Sequence, residues 1–237
     1  MFFIYYLFLF YIYSIIGWIA ETTYVSFLKK KFIDRGFLIG PYCPIYGSGA
    51  LIIIIYLTQY KENPLTVFLM GMILCSILEY FTSYIMEKLF NARWWDYSKN
   101  KYNLNGRICL KNSSLFGLAG IGVIYLLQPL INKIMPRTTT PLIIITLIIS
   151  IIFIIDLIIS LKVISSFKKN MKKIEINKDS TNEITKLVKE TLHNKFLQNR
   201  LFTAFPDIDL SKLINIKNEI KEIKEDIKNE IIEKLKK

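Results

Sequence analysis

The sequence predicts an all-α protein: a polytopic helical membrane bundle of about five transmembrane helices, N-terminus outside and C-terminus inside. Three observations predict it. Apolar residues make up 52% of the 237-residue chain and gather in runs such as MFFIYYLFLFYIYSIIGWIA and PLIIITLIISIIFIIDLIIS. Such runs reach the roughly 17–25 residues that a bilayer core demands. Lysine and arginine concentrate in alternate loops. The composition then changes: residues 165–237 hold 17 Lys or Arg against 12 Asp or Glu. The chain therefore divides into a transmembrane domain, 1–164, and a basic, helical cytoplasmic tail, 165–237.

The spans are expected at 2–27, 44–60, 65–88, 114–134 and 141–163. No Lys or Arg precedes Lys29 and no small-residue cleavage site follows the first run, so it reads as a retained helix rather than a secretory signal. The first loop carries Lys29, Lys30, Lys31 and Arg35, and the third carries Arg93, Lys99, Lys101, Arg107 and Lys111. The tail opens with Lys168, Lys169, Lys172 and Lys173, whereas the alternate loops hold only Lys61, then Lys133 and Arg137. The positive-inside rule puts the first and third loops and the tail in the cytoplasm. The net charge of +12 follows from these loops and the basic tail. No basic patch interleaved with aromatics points to nucleic acid.

The second span is broken. GPYCPIYGSG, residues 40–49, places Gly40, Pro41, Pro44 and Gly47 where a continuous helix is expected. The prolines remove two N–H donors and push their predecessors toward extended backbone. A helix begun at Pro44, a favoured first-turn residue, has 17 residues and about 25 Å of length, against a core of about 30 Å. Irregular backbone at membrane depth must be covered by protein or line a wet cavity. A re-entrant segment packed inside the bundle and an ordinary interfacial loop both remain open.

Glu21, Glu79 and Asp156 lie within apolar runs. A carboxylate near a helix centre costs about 2.5–3.5 kcal/mol on insertion scales. Ser14, Gly17 and Glu21 share one helical face, and so do Ser76, Glu79, Ser83 and Glu87. Both stripes should turn inward, with Arg35, Arg93 and Arg107 as counter-ions on the same side. The result is either a cytoplasm-facing polar cavity or a carboxylate–arginine network that only locks helices together. Asp156 lacks a polar stripe of its own, and Glu87 beside Lys88 reads as an ordinary interfacial pair.

In the third loop, Trp94 and Trp95 fit an interfacial aromatic belt, and Trp95 is also a candidate for the cavity rim. Asn105-Gly106 is a two-residue hairpin signal that would present Arg107 near the membrane plane. Arg107 suits phosphate or carboxylate recognition, and an ion pair with Asp96 explains it equally. Ser113 or Ser114 is the expected cap of the fourth helix. In the tail, STNE at 180–183 reads as a capping box before Ile184, Leu187, Val188 and Leu192. Pro206 breaks the pattern, and Leu213, Ile216, Ile220, Ile223, Ile227 and Ile231 mark a last apolar face. Self-association, packing on the membrane domain and a solvated surface helix remain open.

Cys43, Cys75 and Cys109 form no CxxC pair, and His193 is the sole histidine, so no metal site or cofactor is expected. No glycine precedes a lysine, which excludes a phosphate-cradling P-loop.

The motifs GWIAE (17–21), RGFLIGPYCPIYGSG (35–49), LEYFTS (78–83), WWDYS (94–98) and NLNGRICLKNSSLFG (103–117) occur in order. With them the chain resembles the family described as putative ABC-transporter type IV, CmpB-like membrane proteins common in Gram-positive bacteria. The resemblance covers about residues 1–165, and NRLFTAFPDI (199–208) extends it. It implies a permease-type component in the cell membrane, multi-pass, with a separate ATPase subunit or a second copy of the chain as partner. It brings no catalytic residues. The alternatives are an intramembrane enzyme acting on a lipid or isoprenoid head group, and an assembly scaffold. In the enzyme, Glu21 or Glu79 would be acid or base and Arg35 and Arg107 would hold the anion. No nucleophile or metal motif favours the enzyme.

Overall fold

The structure, a computed structural model, describes residues 2–90, 92–135 and 139–174, with side chains of the last stretch over 140–164, and Arg200, Ala204 and Phe205. The capping box at 180–183, both apolar tail faces, Pro206, His193 and Arg137 lie outside the described residues. The elements in order are α1 (Phe2–Lys29), α2 (Pro44–Leu57), α3 (Pro64–Phe90), β1 (Asn103–Leu104), β2 (Ile108–Cys109), α4 (Leu110–Ile121), α5 (Gln128–Ile134) and α6 (Thr139–Ile174). A 3₁₀ turn, Thr58–Tyr60, extends α2. A π turn, Gly122–Leu127, joins α4 to α5 in one rod. Pro129 explains that turn: it has no N–H and its ring crowds the carbonyl four residues back.

The all-α expectation holds. Among the described residues, four helical stretches are long and apolar enough to cross a membrane: Phe2–Lys29, Pro64–Phe90, Leu110–Ile134 and Thr140–Ile164. The remaining expected span, Pro44–Tyr60, is a shorter apolar helix. Pro44 is its first residue, as proline's fixed φ favours.

Why α2 is short is clear from its neighbours. After Lys29 the chain turns back along α1 as irregular backbone, residues 30–43, called here the arm. The Cys43 N–H donates to the Ser14 carbonyl at 2.9 Å. Ser14 is 15 residues before the end of α1, so the arm runs about 22 Å back along that helix before α2 begins. A Cβ on Gly47 would lie 2.2 Å from Ser14 Oγ and 2.5 Å from the Phe10 carbonyl. Only glycine lets α1 and α2 approach this closely. α2 then runs antiparallel to α1 and supplies Ala50, Ile53, Ile54 and Leu57 to the core. Leu9 and Tyr13 of α1, Val67 and Cys75 of α3, and Val123 and Ile124 of the π turn complete it.

α6 closes the bundle against α1. Tyr11 donates to Ser150 Oγ at 3.0 Å, and Phe153 rings against Phe10, Tyr11 and Tyr42. One residue before Ser14, Tyr13 donates to Gln128 Oε1 at 2.8 Å and ties α1 to α5.

The hairpin forms as the Asn-Gly signal predicts. Asn105 and Gly106 both have positive φ, 54° and 66°, and Arg107 N–H donates to the Leu104 carbonyl at 3.0 Å. The expected serine cap is corrected. β2 runs directly into α4 at Leu110, and Cys109 is the N-cap without a side-chain bond. Ser113 therefore sits inside the helix, where its Oγ accepts from Ser76 Oγ at 2.7 Å.

Candidate functional site

Three stretches distant in sequence meet at one end of the bundle: the arm, the loop 91–109, and the tail residues Arg200, Ala204 and Phe205. Phe37 of the arm, Phe90 of α3, Trp94 of the loop and Phe205 pack ring to ring, with centroids 5.1–5.9 Å apart. Around them lies a set of polar side chains from α1, α2, α3 and α6.

The arm is held first by Asp156. Its carboxylate accepts from the Ile39 N–H at 3.0 Å, the Gly40 N–H at 2.6 Å, the Tyr42 hydroxyl at 2.6 Å and Ser160 Oγ at 2.9 Å. The backbone donors that a proline-broken stretch leaves bare are thus satisfied by an acid from a helix more than 110 residues away. Asp156 has a polar stripe after all. Thr146, Ser150, Asp156 and Ser160 fall within an arc of about 120° at 100° per residue. The spacings of four, six and four hide it.

Glu21 pairs with Arg35. Its Oε1 lies 3.2 Å from both Nε and Nη2 of Arg35, and its Oε2 accepts from the Tyr46 hydroxyl at 2.5 Å. The α3 stripe turns inward throughout: Ser76, Glu79, Ser83 and Glu87 are all buried. Glu79 lies 11 residues, about 17 Å, from the end of α3. It accepts from the Tyr97 hydroxyl at 3.1 Å, and Glu21 is within electrostatic reach. The two glutamates thus lie within electrostatic reach of one another, and each accepts from its own tyrosine, Tyr46 of α2 for Glu21 and Tyr97 of the loop for Glu79.

The arginines are distributed otherwise than expected. Arg107 pairs with Glu87 at 2.7 Å, donates to Ser83 Oγ at 3.1 Å and lies over the rings of Tyr80 and Tyr84. Arg93 reaches Glu87 and Asp96, each at 3.4 Å. Glu87, 4% exposed, is therefore a buried ion-pair centre and not an interfacial partner of Lys88, whose ammonium sits over Tyr84 instead. The reason is depth: the loop folds down onto α3 and carries both guanidiniums to the last turn of that helix. Arg107 does not meet Asp96. Asp96 is exposed and accepts from the Ser98 N–H and hydroxyl, forming the loop's own turn. Burial pushes its carboxyl up, but the Ser98 bonds and Arg93 outweigh this and hold it below the usual range. The Tyr97 hydroxyl is pushed well up, first by burial and then by the adjacent Glu79.

Among the described residues, each of Arg35, Arg93, Arg107 and Arg200 is already paired with a carboxylate. Holding an anionic head group with Arg35 and Arg107 would require breaking such pairs. Glu79 is not among the carboxylates these arginines hold. It is 7% exposed, Tyr97 is its hydrogen-bond donor, and its Oε2 has no hydrogen-bond partner among the described residues.

The tryptophans divide. Trp95 Nε1 donates to the Arg107 carbonyl at 3.1 Å and fixes the hairpin. Trp94 is buried in the aromatic cluster rather than in a lipid-facing belt. Of the break residues, Gly40 is bound to Asp156, Pro41 is exposed, Pro44 opens α2 and Gly47 sits against α1. Sequence reasoning did not single out Asp34, Tyr46, Tyr97 or Arg200. Trp18 Nε1 donates to Asp34 Oδ1 at 2.8 Å, and Arg200 pairs with Asp34 Oδ2. No local periodicity marks these residues; Tyr46, Tyr97 and Arg200 fell within quoted motifs, and Asp34 did not.

Residues 8–161 match the family model described as putative ABC-transporter type IV. No curated protein and no solved structure matches the chain.

Proposed function

The chain belongs to the putative ABC-transporter type IV family, and on that premise we propose that it is the membrane-embedded permease component of a transporter. In this reading it spans the cell membrane several times, with the arm, the 91–109 loop and the tail in the cytoplasm. It carries no P-loop of its own, so a separate ATP-hydrolysing subunit drives it. The polar cluster of Glu21, Tyr46, Glu79 and Tyr97 is the part that meets the transported solute.

One observation carries this reading. Glu79 is a buried intramembrane acid with an oxygen lacking a hydrogen-bond partner among the described residues. A pure scaffold has no reason to keep such a group, because an unpaired buried carboxylate is destabilising by several kcal/mol. The broken α2, starting beside the middle of α1, supports it too. Transporter sites are built at such discontinuous helices.

The test is purification of the tagged full chain from its own membranes, with mass spectrometry of what accompanies it. We expect an ATP-hydrolysing subunit to co-purify, and a small solute that Glu79→Gln no longer retains. A chain that brings neither, or that converts co-purified phospholipid over time, overturns the reading.

A further inference from the structure

The cluster of Glu21, Tyr46, Glu79 and Tyr97 is selective in what it can hold. Glu79 is its buried member, 7% exposed, with Oε2 bare among the described residues. Glu21 and Tyr46 lie nearer the surface: the Glu21 side chain is 26% exposed and Tyr46 is 37% exposed. Tyr97 donates to Glu79 at 3.1 Å and is within electrostatic reach of both Glu21 and Tyr46.

Arg35 pairs with Glu21, Arg93 and Arg107 with Glu87, and Arg200 with Asp34. Among the described residues no cation pairs with Glu79, so a guest that offsets its charge must be positive. Hydrogen-bonding capacity points the same way. The Tyr46 and Tyr97 hydroxyls donate their protons to Glu21 and Glu79, which leaves a guest only their oxygen lone pairs. Asn112 of α4 is bonded to the Tyr97 hydroxyl. What the cluster presents is acceptors, with Glu79 Oε2 the deepest.

The surroundings narrow the cation. No group of three His, Cys, Asp or Glu that could hold a metal ion occurs among the described residues. An alkali ion is held by main-chain carbonyls where helices unwind. Here α1 and α3 run unbroken through Glu21 and Glu79, and the Cys43 carbonyl at the start of α2 accepts from the Tyr46 N–H. An ammonium group needs only a few acceptors and is attracted to aromatic faces. Glu79, Tyr97 and Tyr46 supply both. The same helix shows this preference in its own side chains, with the Lys88 ammonium 4.7 Å from the centre of the Tyr84 ring.

We propose that Glu79, with Tyr97 and Tyr46, is the seat of an organic ammonium group, so that the ligand is a small amine bound as its cation. Glu79 Oε2 is enclosed, so entry requires movement of Tyr97, which a loop carries rather than a helix. Calling that amine the transported solute rests on the permease reading; its binding is measured without it.

The experiment uses the full chain in lipid nanodiscs, melted in methylammonium chloride or in sodium chloride at equal concentration. A ligand held by the folded chain alone raises the melting temperature with its concentration. We expect methylammonium to raise it saturably above the sodium value, and the difference to vanish in Glu79→Gln. Tyr97→Phe should raise the half-saturating concentration at least about threefold, and it decides if Glu79→Gln does not fold. Equal melting temperatures in the two salts overturn the ammonium site. A higher value in sodium overturns it in favour of an alkali ion. A methylammonium effect unchanged in both variants puts the cation elsewhere and overturns the assignment. If methylammonium binds and no ATP-hydrolysing subunit co-purifies, the permease reading fails and the site stands. If the subunit co-purifies and methylammonium has no effect, the site alone fails.

Discussion

Asp156 shows how one side chain can license an irregular backbone. Its four accepted bonds include two main-chain N–H groups of the arm. Each donor left bare and buried costs about 1–3 kcal/mol. Asp156→Ala is therefore expected to lower unfolding stability in detergent by several kcal/mol and to speed amide exchange at Ile39 and Gly40. Asp156→Asn, which keeps one acceptor oxygen, should cost less; equal losses would count against the account. Asp96 makes a contrasting prediction. Its carboxyl is held below the usual range, with the Ser98 bonds and Arg93 outweighing burial. A lowered carboxylate stabilises the fold above its unfolded value of about 3.9 and loses that contribution as pH falls through the lower folded value. Protection of the 97–106 turn, read by amide exchange, should therefore weaken only below about pH 4. Asp96→Asn should remove that acid step.

At the scale of elements, the close pairing of α1 and α2 rests on Gly47. A side chain there meets the Phe10 carbonyl at 2.5 Å, and backbone cannot move aside as a flexible side chain can. Gly47→Val is expected to displace α2 and to abolish the protection of the Cys43 amide. Gly49→Ala, whose Cβ would find only ordinary contacts at 3.6 Å and beyond, should be tolerated. Which elements were legible follows from what local chemistry encodes. The inward stripe of α3 is a period of the helix, so Ser76, Glu79, Ser83 and Glu87 could be placed inside without coordinates. Asn105-Gly106 encodes its own turn, and Pro44 encodes the start of α2. The pairing of these elements was not legible. That Arg107 selects Glu87, or that Asp156 receives the arm, depends on which loops fold onto which helices. Nothing in a 3.6-residue period records this. The serine cap failed for the same reason, since the hairpin fixed the start of α4 from outside it.

On the scale of the whole molecule, the two buried glutamates of α3 separate a scaffold from a working site. Glu87 is the centre of a compensated network, with Arg107 at 2.7 Å and Arg93 at 3.4 Å, and is 4% exposed. Removing one partner of such a buried pair costs about 3–5 kcal/mol, because the remaining charge is stranded. Glu87→Gln should therefore destabilise the bundle markedly. Glu79 sits two turns away in the same helix at 7% exposure, but no arginine pairs with it among the described residues. Glu79→Gln keeps the size, still accepts from Tyr97, and removes a charge for which no ion-pair partner is described. Its melting temperature should equal or exceed that of the unaltered chain, while solute retention is lost. A scaffold predicts the opposite association: stability and function would fall together at both positions, in proportion. Measuring melting temperature and solute retention side by side for the two variants thus asks the whole bundle which of its acids is held for the fold and which for the work. A destabilised Glu79→Gln with retention intact would assign both glutamates to the fold.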